Sequence, residues 1–241
     1  MYTYDKKVLF SDIDSNSNMS VRALLDAMQD CVNINSESIG KGIEYMKQSK
    51  RAWFAIGWNI HINRYPHVFE NITVKTWPYG FASSMGFRNV IITDEEGNDI
   101  VCADSIWTLV DANQGKPIRI EEQDYEGYDV EPEYPMEKSG RKIKYPKDME
   151  KAAEYTVRKC DIDFNGHMTN AKYIELANEY IEYDDSIRQI RVEYKQQAKY
   201  NETLVVETCL EITEDNKNKK IIKICGLEKA DIKAVVEFVL N

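Results

Sequence analysis

The chain has 241 residues, an apolar fraction of 43% and a formal net charge of −10. That length holds one large domain or two small ones. The acidic balance argues against a nucleic-acid partner, which needs a basic face, but leaves room for a local basic patch. With no apolar run of about 18 residues and no apolar core in the leading MYTYDKKVLFSDID, a cytoplasmic protein without a membrane partner is expected.

In chain order, Val21, Leu24, Leu25, Met28 and Val32 recur at helical spacing, predicting an amphipathic helix over 20–37 with Ser20 as its N-cap. Phe54, Ile56, Trp58, Ile60 and Ile62 alternate like a half-buried strand, and Ile72, Val74 and Thr76 start another. Glu95-Glu96-Gly97-Asn98 reads as a turn between strands at 87–94 and 99–111. Residues 113–150 hold Pro117, Pro132, Pro135 and Pro146 among many charges, as in a connector that packs against one sheet. A second helix follows Thr169, with Tyr173, Ile174, Ala177, Tyr180 and Ile181 as its apolar face. Leu204, Val206, Thr208, Leu210 and Ile212 alternate, a turn is expected near Asn216-Lys217-Asn218, and Ile221 to Cys225 with Ala234, Val236, Phe238 and Leu240 complete a meander.

One pattern occurs twice. Asp12 to Asp30 reads DIDSNSNMSVRALLDAMQD, and Asp161 to Glu179, 149 positions later, reads DIDFNGHMTNAKYIELANE. Asp12, Ile13, Asp14, Asn16 and Met19 recur as Asp161, Ile162, Asp163, Asn165 and Met168, while Asn18 becomes His167. At an offset of 132, Ile60, Ile62, Glu70, Ile72, Val74 and Thr76 align with Val192, Tyr194, Glu202, Leu204, Val206 and Thr208. Each half therefore reads as a short strand, a long helix and several antiparallel strands. A helix wrapped by a curved sheet buries the apolar faces of both, which makes the expected class α+β. The expected boundaries are 1–125 for the first unit, 126–150 for the connector and 151–241 for the second.

Asp163, Asn165 and His167 precede the cap Thr169 at alternate positions. In an extended segment their side chains point one way, toward a helix start whose free N–H groups stabilise developing negative charge. A histidine base, an orienting amide and such a terminus suit attack on a carbonyl. The alternative is that Asp and Asn merely cap a turn around a solvated histidine. The first copy lacks the histidine, so the turn does not require it, and a functional role is favoured. His61 and His67 show no metal-ligand spacing; the first is expected at a core or edge position and the second in a loop. No GxSxG elbow or glycine-rich phosphate loop is present. Cys31, Cys102, Cys160, Cys209 and Cys225 form no CxxC and are expected as buried free thiols. No metal or cofactor is expected.

DFNGHMTN followed by a helix resembles the active-site segment of hotdog-fold thioesterases. INRYPHVFENITVKTW (62–77), Gly86-Phe87-Arg88, ADSIWTLVDANQGKPIRI (103–120) and VEYKQQAKYNETL (192–204) resemble, in order, segments of the acyl-acyl carrier protein thioesterase family. The resemblance implies a double hotdog, with an acyl-binding first unit and a catalytic second unit that hydrolyses the thioester on acyl-phosphopantetheine of acyl carrier protein. It carries the family's Asp, Asn and His onto Asp163, Asn165 and His167. Where the family has an acidic residue and a cysteine on the later strand, this chain has Gln197 and Ala198. Direct attack by water follows, with Asp163 and His167 sharing its activation, Asn165 and Gln197 positioning water or carbonyl, and N–H groups near Met168 stabilising the oxyanion. Leu25, Met28, Trp53, Phe54, Trp58 and Met85 are either acyl-tunnel or ordinary core residues. Arg141, Lys142 and Lys144, or Lys172, Lys195 and Lys199, are candidates for meeting an acidic carrier. An acyl-CoA thioesterase, a non-hydrolytic acyl-thioester-binding protein and a hotdog dehydratase are the competing readings, and a homodimer stays open.

Overall fold

The computed structural model describes all residues except 183–184, 213–217 and 229. The chain runs through β1 (Tyr2–Lys7), α1 (Val21–Ser38), α2 (Ile43–Ser49), β2 (Arg51–Ile62), β3 (Asn71–Ala82), β4 (Met85–Thr93), β5 (Asp99–Asp111), β6 (Lys116–Pro117) and α3 (Glu122–Tyr125). It continues with β7 (Glu150–Thr156), α4 (Asn170–Asn178), β8 (Ile187–Tyr194), β9 (Thr203–Ile212), β10 (Asn218–Cys225) and β11 (Ile232–Leu240). Two compact units result. One comprises Met1–Ile56 and Ile62–Lys138, the other Gly57–His61 and Ser139–Asn241.

Strand order in the first unit is β1-β3-β4-β5-β2. Its counterpart in the second is β7-β9-β10-β11-β8, with Gly57–His61 of β2 paired onto β8. The β3–β4, β4–β5, β9–β10 and β10–β11 ladders are antiparallel. In the first unit α1 packs against β1, β3 and β4; in the second α4 packs against β10 and β11. Leu24, Leu25, Met28 and Cys31 on one face of α1 are buried, together with Ile72 and Val74 of β3. Truncating one such side chain, Met28→Ala for instance, removes about 2–5 kcal/mol.

Several expectations hold. Helix α1 starts where Ser20 accepts the N–H of Ala23 (3.2 Å). Asp94 and Asn98 close the turn between β4 and β5, and Gly97 takes the left-handed φ of +85° that its position needs. Others need correction. Helix α4 ends at Asn178, so Tyr180 and Ile181 fall beyond it, in turns closed on the carbonyls of Ala177 and Asn178. Phe54 and Ile56 are only half-buried, and Leu210 is 58% exposed, so alternation does not decide burial along β2 and β9. The turn expected near Asn216-Lys217-Asn218 reaches into residues outside the described set.

Strands β4 and β5 are buried on both faces over much of their length. The connector is the reason. It packs on the first unit's sheet through Tyr134 and Met136 against Trp77, Ile91 and Cys102, with the Trp77 indole donating to Pro132 O (2.9 Å). Later connector residues, Ile143, Tyr145 and Met149, pack on the second unit's sheet against Ile221 and Val235. It thus covers a sheet in each unit rather than one. All five cysteines are free. Cys31, Cys102 and Cys225 are buried, but Cys160 is exposed and Cys209 half-buried.

His61 is half-buried on β2, beside the Gln189 amide (3.2 Å), and His67 is exposed.

Candidate active site

The site grows from a loop that both units build alike. Asp161 is fully buried, and its carboxylate accepts the Tyr155 hydroxyl (2.5 Å) and the Arg158 N–H (2.7 Å). Burial works to raise its pKa, but the Tyr155 hydroxyl and the Arg158 N–H and guanidinium outweigh it and hold the carboxyl below its ordinary range. In the first unit Asp12 likewise accepts the N–H of Leu9 (2.9 Å). The carbonyls of Asp12 and Asp161 receive Ser20 N–H and Thr169 N–H, both at 2.9 Å.

Between these anchors the chain turns tightly. The expected extended segment is not there: Asp163 N–H donates to His167 O (2.8 Å), Gly166 N–H to Asp163 O (3.0 Å), and Gly166 takes φ +81°. The Asp163 carboxylate folds back onto its own loop, where Oδ1 accepts Asn165 N–H (2.8 Å) and His167 N–H (3.3 Å). Asp14 does the same for Asn16 (2.8 Å) and Asn18 (3.1 Å), with Ser17 at φ +63° in the place of Gly166. Asp163 therefore has a structural duty that its counterpart shares. Asn165 lies exposed in the turn.

A second loop, between β8 and β9, runs alongside. Met168 N–H donates to Ala198 O (2.9 Å), and His167 and Lys199 form an isolated antiparallel bridge. Ala198 N–H donates to the Tyr173 hydroxyl (2.8 Å), whose own pKa burial pushes up. Buried Lys233 holds the loop from beneath, donating to Gln197 O (3.3 Å) and pairing with Glu202 (2.6 Å) and Asp231 (3.0 Å).

The sequence-based set is thus partly assembled. His167 stands beside the backbone of Ala198 and Lys199. Gln197 is exposed and lies in the loop after β8, not on the strand as expected, because β8 ends at Tyr194. The Met168 N–H is spent on Ala198 O and is not available to an oxyanion. Sequence reasoning did not find the roles of Tyr173 and Lys233, whose contacts come from elements remote in sequence.

Two side-chain atoms here are buried without a hydrogen-bond partner, His167 Nδ1 and Thr169 Oγ1. Thr169 occupies the N-cap of α4 but makes no cap bond, unlike Ser20 on α1. The first-turn N–H groups of α4 are left without a side-chain cap, at the end of the helix that favours negative charge.

Around this point the surface is aromatic and basic. Phe164 is 67% and Tyr200 54% exposed, and the Lys159 ammonium lies 5.9 Å from the Tyr200 ring centre. Of the basic candidates, Arg141 and Lys195 pair with Glu193, and Lys172 with Asp161 and Glu175. Lys159 and Lys199 carry no ion pair among the described residues.

Among the acyl-tunnel candidates, Leu25, Met28 and Trp58 are buried, and Trp53, Phe54 and Met85 half-buried; Trp58 clusters with the second unit. No helix among the described residues is long and apolar enough to cross a membrane.

A helix wrapped by an antiparallel sheet, built twice, defines a tandem hotdog protein. The sequence pattern of the acyl-ACP thioesterase N-terminal domain matches residues 1–128, and that of the acyl-ACP thioesterase C-terminal domain matches residues 144–236. The chain belongs to the acyl-ACP thioesterase family. It is similar to a chloroplastic oleoyl-acyl carrier protein thioesterase of Coriandrum sativum, 21% identical over 236 residues covering 89% of this chain and 64% of the relative. The chain thus spans less than two thirds of that relative's length. An acyl-ACP thioesterase from Bacteroides thetaiotaomicron superposes with TM-score 0.89 at 21% identity, over 99% of this chain and 97% of that one. The 12:0-ACP thioesterase from Umbellularia californica gives TM-score 0.89 at 15% identity, over 100% and 93%. At these identities the structures speak for the fold.

Proposed function

We propose that this protein is a cytoplasmic thioesterase that hydrolyses the bond between an acyl chain and acyl carrier protein. It would release free fatty acid and so end chain elongation in fatty acid synthesis. The observation that carries this reading is His167. Its Nδ1 is buried and unpartnered beside an uncapped helix start, in a loop that forms equally well around Asn18 in the other unit.

Water attacks the thioester carbonyl carbon and His167 takes its proton. The oxyanion forms against the start of α4, the C–S bond breaks, and the departing sulfur takes the proton from His167. Asp163 holds the loop, its Oδ1 accepting the backbone N–H groups of Asn165 and His167. The exposed amides of Asn165 and Gln197 position water or the carbonyl. Ala198 offers no thiol, so no covalent acyl-enzyme forms there. Residues 151–241, within the second unit, carry the catalysis, residues 1–125, mostly of the first unit, bind the acyl chain, and 126–150 connects the two stretches. Lys159 and Lys199, without an ion pair among the described residues and close to the site, receive the acidic carrier.

The test is incubation with a panel of acyl chains on carrier protein and on CoA, measuring thiol and fatty acid. Release from the carrier, lost in His167→Ala, supports the reading. Release from CoA alone changes the carrier, and retention of intact thioester makes this a binding protein.

A further inference from the structure

We propose that the Thr169 hydroxyl is a catalytic group that donates a hydrogen bond to the thioester carbonyl oxygen, an inference resting on the hydrolase reading above. Thr169 and Ser20 are counterparts with nearly the same backbone, φ −64°, ψ 147° and φ −64°, ψ 154°. Both can turn a side-chain oxygen onto the third N–H of the helix that follows. Ser20 does so, 3.2 Å from Ala23 N–H. Thr169 does not. The equivalent N–H, of Lys172, bonds the Thr169 main-chain oxygen instead (3.0 Å), and Oγ1 is left buried and unpartnered. Leaving a buried hydroxyl unmatched when a cap lies within reach costs stability. A substrate atom that completes the bond explains the arrangement.

The direction of the side chain fits. His167, Met168 and Thr169 run extended, with the Met168 side chain 3% exposed in the core. Alternation turns His167 and Thr169 to the face opposite Met168. The same face thus offers a proton acceptor and a hydroxyl donor, beside the start of α4 where the N–H groups before Lys172 have no side-chain cap. In the first unit that arrangement is closed: Asn18 replaces the histidine and Ser20 spends its hydroxyl on the cap. A donor aimed at the forming oxyanion is worth about 10²–10³-fold in turnover when removed.

The experiment compares wild type, Thr169→Val, Thr169→Ser and His167→Ala for acyl-carrier hydrolysis and thermal melting. Thr169→Val is expected to lose about 10²-fold in kcat with KM changed by no more than a few-fold. Its melting temperature should be unchanged or raised, because no cap bond is lost, and Thr169→Ser should restore turnover. Full activity in Thr169→Val overturns the proposal. So does a melting temperature several degrees lower that Ser restores, since that marks a cap. If the wild type hydrolyses nothing, the hydrolase reading fails separately. Affinity for an acyl-carrier amide analogue then decides, falling several-fold in Thr169→Val if the hydroxyl meets the carbonyl and staying level if it does not.

Discussion

His167 stands opposite Lys199 in a one-pair antiparallel bridge, and Asn18 stands opposite His67 in the equivalent bridge of the first unit. The backbone around both pairs is the same to the level of single hydrogen bonds. Met19 N–H donates to Pro66 O (2.7 Å) as Met168 N–H donates to Ala198 O, and Phe69 and Asn201 take φ +66° and +67° where the following strand begins. The frame is duplicated while the side chains it presents have diverged.

His167→Asn is the substitution this relationship recommends, because Asn18 already sits in that frame without disturbing it. The melting temperature should stay within a degree or two, and turnover should fall by about 10²–10⁴-fold, as loss of a general base does. Steady-state hydrolysis with a matched melting curve checks both. A variant retaining more than a tenth of wild-type turnover would remove His167 from the reaction.

Asp163 and Asp14 can be separated by the same logic. Each carboxylate accepts two backbone N–H groups of its own loop. Replacing either by alanine should cost about 1–3 kcal/mol of stability. Only Asp163→Ala should also lower turnover, since only that loop carries His167. Asp163→Asn keeps an acceptor oxygen, so it should recover the stability and stay within ten-fold of wild-type activity. Chemical denaturation alongside kinetics reads these effects apart; an inactive but fully stable Asp163→Asn would make the charge itself essential.

The duplicated loop was legible in the sequence because its polar pattern is local: Asp12 and Asp161 bond residues three positions away, and Asp14 and Asp163 bond residues two and four away. Ser20 showed its cap for the same reason. The direction of the site was harder. Alternate spacing of Asp163, Asn165 and His167 suggested an extended segment, although Gly166 between them carried the contrary signal of a turn. Nothing local marks the end of β8 at Tyr194, so the sequence alone puts Gln197 on a strand. The burial of both faces of β4 and β5 was invisible, since it depends on Tyr134 and Met136 arriving from the connector. Likewise Tyr173 and Lys233 reach the site from elements that no short window joins.

Asp104 gives the protein a pH-dependent stability of known sign. Burial on β5 pushes its carboxyl up to about 6 from the ordinary 3.8, the Tyr79 hydroxyl bond (2.9 Å) works the other way, and nearby Glu133 adds to the rise. The folded state therefore binds the proton more tightly than the unfolded chain. Stability contributed by protonated Asp104 is full below about pH 4, declines as pH rises through about 6, and is absent above it. Asp104→Asn keeps an acceptor for Tyr79 without the buried charge. It should be more stable than wild type at pH 8 and indistinguishable near pH 4 in urea unfolding. A wild-type advantage at pH 8 would refute this assignment.

On the proposed reading, Lys159 and Lys199 test how this acidic protein meets an acidic carrier. Net charge of −10 repels such a partner at long range, so encounter depends on a local cationic spot. Arg141, Lys172 and Lys195 are already engaged by Glu193, Asp161 and Glu175, which leaves, nearest the His167 loop, Lys159 beside Tyr200 and Lys199 beside His167. Reversing both charges, Lys159→Glu with Lys199→Glu, should raise KM for acyl-carrier substrate at least ten-fold and leave kcat within a factor of two. Raising salt should weaken wild-type turnover on the carrier, while the double variant responds little or in the opposite sense, because screening removes the attraction in one and the repulsion in the other. Parallel kinetics at low and high ionic strength decide it, and an unchanged KM at low salt would move the docking face elsewhere, to Lys142 and Lys144 first.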